Sequence, residues 1–239
     1  STFHTFARVK SLGGDVESPI RDKSELEIIG CADAIMVSCT EEQAQFQSLY
    51  GSAPGAIEVL APGVERAFFS PGDRRGARHA LGLGTGPMLL FVGRIQPLKG
   101  LDIAVRTLAE LGRNDAQLIV VGGASGVEGA IELARVEALI QELGLVGRVK
   151  FYEPQPHHLL STFYRAADVV LVPSRSESFG LVALEAAACG IPVVATAVGG
   201  LMNLIEDGKT GFLVPGRDVA GFARFTRRLL DDSLLAISM

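Results

Sequence analysis

Gln117-Leu118-Ile119-Val120-Val121-Gly122-Gly123-Ala124-Ser125-Gly126 is an apolar, β-branched run that stops on paired glycines. Leu118 to Val121 is apolar at every position. Both faces of such a strand must be covered, as in a parallel sheet with helices on either side. The same pattern recurs around it. Strands are predicted at Met88–Val92, Gln117–Val121, Arg148–Phe151, Val169–Val172 and Pro192–Ala195. Amphipathic helical stretches alternate with them near Leu101–Leu111, Glu128–Leu143, His158–Ala166 and Gly180–Ala188, and a last helix is predicted at Val219–Leu230. This alternation predicts a doubly wound, Rossmann-like α/β domain over residues 87–239.

The preceding part differs. Ala34–Ser38 and Ile57–Leu60 read as strands, with a helix at Glu41–Tyr50 between them. Two strands and a helix are too few for an independently stable sheet. Residues 1–62 are therefore expected to be the C-terminal remnant of a second Rossmann-like domain, with the apolar faces of Ile35, Val37, Phe46 and Leu49 exposed. The breaker-rich stretches Ala61-Pro62-Gly63-Val64 and Ser70-Pro71-Gly72-Asp73 make 63–86 the expected interdomain linker.

Composition narrows the function classes. The 239 residues are 48% hydrophobic and 21% charged, which excludes disorder, collagen-like repeats and a coiled coil. With 22 Lys and Arg against 27 Asp and Glu, the net charge of −5 exerts no general pull toward nucleic acid or an anionic membrane. Any bound anion needs a local constellation. Cys31, Cys39 and Cys189 form no CxxC and leave an odd thiol, which points to a reducing, cytoplasmic setting and away from a disulfide framework or zinc site. Ala186 to Ile205 carries no charge and approaches the about 20 apolar residues of a membrane span. Cys189-Gly190-Ile191-Pro192 and Gly199-Gly200 break it into helix end, buried strand and loop, so a soluble chain without a transmembrane segment is expected.

Two glycine-rich stretches differ in context. Gly82-Leu83-Gly84-Thr85-Gly86 precedes a strand and is not GxGxxG, so it reads as a turn. Gly122 to Gly126 follows a strand and precedes a helix, where a ligand loop belongs; tight-turn and ligand-facing roles both suit it. In Phe91-Val92-Gly93-Arg94-Ile95-Gln96-Pro97-Leu98-Lys99-Gly100 a buried strand ends at Gly93 and two cations follow. At a strand's carboxyl edge, Arg94 as a fork and Lys99 as a point charge can converge on a diphosphate, or both can be solvated surface cations.

Ser174-Arg175-Ser176-Glu177-Ser178-Phe179-Gly180-Leu181-Val182-Ala183-Leu184-Glu185 follows a strand and enters a helix near Gly180. Free N–H groups at that helix start, with a glycine permitting close approach, make an anion site. Ser174 and Glu177 also fit a capping box. Glu185 is the one charge on a helix of Leu, Val, Ala and Cys, and a buried carboxylate needs partners. A sugar hydroxyl pair would supply them if a phosphate occupied the helix start, about 7.5 Å away along the axis. A structural ion pair would do so too.

Together these residues carry a resemblance. Gly-Arg-x4-Lys-Gly, the Glu-x7-Glu of Glu-Ser-Phe-Gly-Leu-Val-Ala-Leu-Glu-Ala, Gly-Ile-Pro-Val-Val-Ala and Val-Gly-Gly stand in the order seen in family four retaining glycosyltransferases of the GT-B fold. Phe3-His4-Thr5, Arg21 and Glu25, with Phe-Val-Gly-Arg-Ile-Gln-Pro-Leu-Lys, are most similar to the inositol-phosphate glycosyltransferases, with the sucrose-phosphate synthases next. The resemblance implies that Arg94 and Lys99 bind the donor diphosphate, with backbone N–H groups around Ser178, Phe179, Gly180 and Leu181. It implies that Glu177 holds hydroxyls of the transferred sugar, Glu185 the ribose, and the backbone near Gln155 the base edge, with Gly123 in the donor loop. His4 would contact the donor sugar, and Thr5 and Arg21 the acceptor phosphate.

The implied reaction moves a sugar, with retention, from a nucleoside-diphosphate sugar (UDP favoured) to a small hydroxyl acceptor such as a phosphorylated polyol or sugar. No Asp-x-Asp occurs, so a metal-independent reaction without cofactor is expected, with Arg94 and Lys99 in the metal's place. Family members begin with a complete N-terminal Rossmann domain and end with a helix that crosses back to it. Neither is recognisable here, so the chain resembles a fragment, expected to bind nucleotide without transfer. A non-catalytic nucleotide-binding module is the rival reading. A nicotinamide-dependent oxidoreductase shares the α/β pattern but lacks GxGxxG at a strand–helix turn.

Overall fold

The computed structural model describes Ser1, residues 6–12 and residues 18–239. In chain order the elements are α1 (Ala7–Leu12), α2 (Pro19–Cys31), β1 (Ala34–Val37), α3 (Thr40–Tyr50), β2 (Ala56–Val59), α4 (Arg74–Ala80), β3 (Met88–Val92), a 3-10 turn (Pro97–Lys99), α5 (Leu101–Glu110), β4 (Gln117–Val121), α6 (Gly126–Glu142), β5 (Val149–Tyr152), α7 (His157–Ala166), β6 (Val169–Val172), α8 (Leu181–Ala188), β7 (Val193–Thr196), α9 (Leu201–Leu204), β8 (Phe212–Val214), α10 (Val219–Asp231) and α11 (Ser233–Ser238). They fall into two compact units. The smaller comprises Ser1–Gly63, Ser176–Gly180 and Val198–Leu204; the larger comprises Val64–Arg175, Leu181–Ala197 and Ile205–Met239.

The larger unit is a six-stranded sheet in the order β5-β4-β3-β6-β7-β8. Every pairing is parallel. That is the doubly wound order of the Rossmann fold, which reverses between β3 and β6. Leu89 in β3 stands opposite Leu118 on one side and Val169 on the other, and all three are fully buried. Helices α5 and α10 pack side by side in one core with the sheet, through buried residues at helical spacing: Leu101, Ala104, Val105 and Leu108 on α5, and Phe222, Ala223, Thr226 and Leu229 on α10. Helices α7 and α8, outside that core, pack against β3, β6 and β7. The five strands and the intervening helices expected from the sequence are present, with ends displaced by a residue or two. The further elements of this unit, α4, the 3-10 turn, β8 and α11, carry runs too short to stand out.

Asp168, just before β6, explains how α4 is held. Its carboxylate accepts from Arg74 Nη1 at 2.9 Å, Arg78 Nη2 at 2.6 Å and the Met88 amide at 2.7 Å.

In the smaller unit β1 and β2 pair in parallel, Ala34 opposite Ala56 and Val37 opposite Val59. Ile35, Val37 and Phe46 are buried, not exposed as the sequence suggested, and Leu49 is half-buried. The expectation counted only the strands and α3. Phe6 and Ile29 of α2 complete a core over them, with the Phe6 ring 5.4 Å from Phe46 and 5.4 Å from Tyr50. Among the described residues no helix is long and apolar enough to cross a membrane.

Candidate functional site

The reversal of strand order in the larger unit opens a crevice beyond the carboxyl ends of β3 and β6, where α/β sheets bind ligands. Successive loops draw together there. The Gly93 amide donates to Val121 O at 3.0 Å, Ile95 to Gly123 O at 2.9 Å, and Arg175 to Leu98 O at 2.8 Å. Gly122 lies against Gly93 so closely that a Cβ would stand 1.9 Å from its carbonyl oxygen. A cavity of about 300 Å³ lies beyond the carboxyl ends of β3, β4 and β5, lined by Gly93, Arg94, Gly122, Gly123, Pro154 and Gln155, among others. Arg94, Gly123 and Gln155, predicted separately, thus meet in one place. Arg94 is exposed, and its guanidinium makes no ion pair among the described residues. Gln155 lines the cavity with its side chain turned toward its own loop, Nε2 donating to Glu153 O at 2.9 Å. Lys99 ends the 3-10 turn and is half-buried.

Glu185 is 9% exposed on α8, and its Oε2 accepts from the Tyr164 hydroxyl at 2.6 Å. Its partner within the fold is therefore a phenol, not a cation. Burial drives the Glu185 carboxyl above its ordinary value; the Tyr164 hydrogen bond and His157 oppose that only in part. Burial and the adjacent carboxylate likewise raise the Tyr164 phenol well above its usual range. Burial pushes the neighbouring Cys189 thiol up to about 11, so it stays neutral and is no nucleophile.

In the smaller unit, Glu177 O accepts from the Gly200 amide at 2.9 Å, and the Ser178 carbonyl takes the Cys39 thiol at 3.3 Å and the Ser38 hydroxyl at 3.4 Å. A trans peptide points its carbonyl and following N–H in opposite directions. Fixing Ser178 O therefore also fixes the aim of the Phe179 N–H. Gly180 has φ +100°, and a Cβ there would strike Leu201 at 2.7 Å. Helix α8 opens at Leu181, so Ser174 and Glu177 lie outside its first turn and do not form the capping box that their spacing suggested. Arg21 Nε donates to Glu25 Oε1 at 3.1 Å, and Glu25 Oε2 also accepts from the Ala7 amide at 2.8 Å and the Tyr50 hydroxyl at 2.7 Å. His4 and Thr5 lie outside the described residues.

The profile of the glycosyl transferases group 1 matches residues 73–238. The chain belongs to the group 1 glycosyltransferases. The D-inositol 3-phosphate glycosyltransferase of Acidothermus cellulolyticus is 48% identical over 246 residues, covering 98% of this chain and 55% of that protein. Among solved structures, sucrose-phosphate synthase from Thermosynechococcus elongatus superimposes with TM-score 0.87 at 36% identity, over 99% of this chain and 59% of that one. Anabaena HepE in complex with UDP and glucose gives TM-score 0.88 at 25% identity, over 99% and 63%. The chain spans about half the length of the curated relatives it matches. The family resemblance and the α/β, GT-B-type fold read from the motifs are borne out.

In this group 1 glycosyltransferase, sequence reasoning missed Tyr164, Ser38, Cys39 and Tyr50. For Tyr164 a signal existed. Leu160, Phe163 and Tyr164 share the buried face of α7, and a buried tyrosine hydroxyl needs a partner as much as a buried glutamate does. Ser38 and Cys39 act on a segment distant in sequence, and nothing local announces that.

Proposed function

We propose that this chain carries the donor-side machinery of a retaining glycosyltransferase that moves a sugar from a nucleoside-diphosphate sugar, a UDP-sugar above others, to a hydroxyl acceptor. The observation that carries this reading is the cavity beyond the carboxyl ends of β3, β4 and β5, which Arg94, Gly123 and Gln155 line together. Negative charge develops on the departing diphosphate. Arg94, Lys99 and the N–H groups of Phe179 to Leu181 stabilise it, without reorganisation when the bond breaks. Glu177 holds sugar hydroxyls and Glu185 a ribose hydroxyl. No side chain in this reading is a nucleophile; the acceptor attacks from the leaving group's own face, and the leaving phosphate takes its proton.

A phosphorylated polyol or sugar is the acceptor class, held by Arg21 and Thr5, with His4 at the donor sugar. The inositol-phosphate name of the 48% identical relative supports it. A cytoplasmic location belongs to the same reading, supported by Cys31, Cys39 and Cys189 being free thiols. The rival reading of the same cavity is nucleotide binding without transfer. Isotope-labelled UDP-glucose and UDP-N-acetylglucosamine, each with inositol phosphate, test the choice. Labelled glycoside that disappears in Glu177→Ala, with UDP binding retained, supports transfer; UDP binding without product from either donor supports the second reading.

A further inference from the structure

Tyr164 has no role in the reading so far, yet it is fully buried and its hydroxyl is spent on one atom, Glu185 Oε2, at 2.6 Å. It cannot swing away. Its ring meets Phe69 edge-on at 5.8 Å, and Phe69 in turn meets His157 at 5.7 Å. An ionised carboxylate only accepts hydrogen bonds, and a short O–H···O⁻ bond is among the stronger ones. Glu185 therefore has one oxygen occupied by the protein and one left, Oε1, in a mostly buried setting.

We propose that Tyr164 is a positioning residue: by holding Glu185 Oε2 it aims Oε1 as a single directional acceptor, and so sets how strongly the site separates a ribonucleotide from a deoxyribonucleotide. This rests on the reading of Glu185 as the ribose contact. A desolvated acceptor rejects a ligand lacking the matching hydroxyl because the acceptor is then left unpaired. The rejection is strong only if the carboxylate stays charged and cannot turn toward another donor. Tyr164 secures both conditions. Without it the burial of Glu185 is opposed by His157 alone, and the carboxyl takes up a proton more readily. A protonated carboxyl can donate as well as accept, so it no longer distinguishes a hydroxyl from its absence as sharply.

The groups facing Glu185 are few. His157 and Tyr164 come from α7, and Cys189 follows on the helix end with Arg165 bearing on it. The strands β6 and β7, on which α8 also packs, bring Val-Val-Leu-Val and Val-Val-Ala-Thr, with no titratable side chain.

Calorimetric titration of the protein with UDP, 2′-deoxy-UDP and 3′-deoxy-UDP, for wild type, Tyr164→Phe, Glu185→Gln and the double variant, tests this. The wild type should prefer UDP over at least one deoxy analogue. Tyr164→Phe should weaken UDP about tenfold, leave that analogue nearly unchanged and recover UDP affinity as pH rises. It should add nothing in the Glu185→Gln background. A full UDP preference in Tyr164→Phe, with that preference lost in Glu185→Gln, overturns the inference and leaves the ribose reading standing. No preference in the wild type overturns the ribose reading itself, and the inference with it. Should Tyr164→Phe not fold, fluorotyrosine labelling of the wild type serves, since the chain has only 3 tyrosines. The Tyr164 fluorine resonance should shift on UDP binding, and an unmoved resonance overturns the inference.

Discussion

Gly100 stands so close to Pro173 that a Cβ on it would lie 2.2 Å from the Pro173 carbonyl oxygen. Gly100 follows the loop from β3 and caps α5 with φ +71°, while Pro173 leaves β6. The pair closes the two loops on each other where the strand order reverses, and it fixes the chain at Lys99.

Replacing Gly100 with Ala should therefore cost stability and function together. The left-handed backbone alone costs about 1–2 kcal/mol, and the contact with Pro173 adds to it. Urea unfolding should show a loss of at least about 2 kcal/mol, with weakened UDP binding in the folded fraction. A variant of wild-type stability would mean the loops are not in this contact.

Glu185 predicts a pH dependence. Burial raises its carboxyl, so the folded chain holds that proton more tightly than the unfolded one. Stability must then fall as pH rises from the ordinary carboxylate value through the raised one. Glu185→Gln keeps an acceptor for Tyr164 and removes the buried charge. By scanning calorimetry its Tm should exceed that of the wild type at about pH 8 and converge with it in acid, while its UDP affinity drops. Parallel Tm curves for the two proteins would contradict this.

Asp102 predicts the opposite sign. It is buried in the first turn of α5, with Arg217 Nη2 at 2.5 Å and Arg135 Nη2 at 3.5 Å. Burial works to raise its carboxyl, but the two guanidiniums prevail and hold it below its ordinary value. Its stabilisation is present above the ordinary carboxylate range and lost as pH falls through the depressed value. Asp102→Ala strands Arg217 beside the core and should cost about 3 kcal/mol in urea at neutral pH. It should also lose part of the wild type's acid-induced decline.

Much of the larger unit was legible because β3, β4, β6 and β7 each carry an apolar run bounded by turn residues, and β5 keeps Val149, Phe151 and Tyr152 around Lys150. Phe212–Val214 was not, since three residues give no period. The cover over Ile35 and Val37 escaped notice because it comes from Phe6 and Ile29 in segments of mixed polarity, and tertiary packing alone decides that they close the core. At the site, the backbone-defined positions were the readable ones: Arg94 at a strand's end, Gly123 in the next loop. The need of Glu185 for a partner was readable too, but not that Tyr164, on a neighbouring helix, fills it. Side-chain pairings across elements depend on how helices pack, and no local pattern encodes them.

In the proposed site Arg94 and Lys99 hold the donor diphosphate beyond the carboxyl end of β3. Calorimetric titration of UDP into wild type, Arg94→Ala and Lys99→Ala tests it most directly. Each variant removes a charge-assisted contact worth about 1.5–3 kcal/mol, so each should bind UDP at least about tenfold more weakly. UDP affinity equal to that of the wild type in both variants would contradict the account.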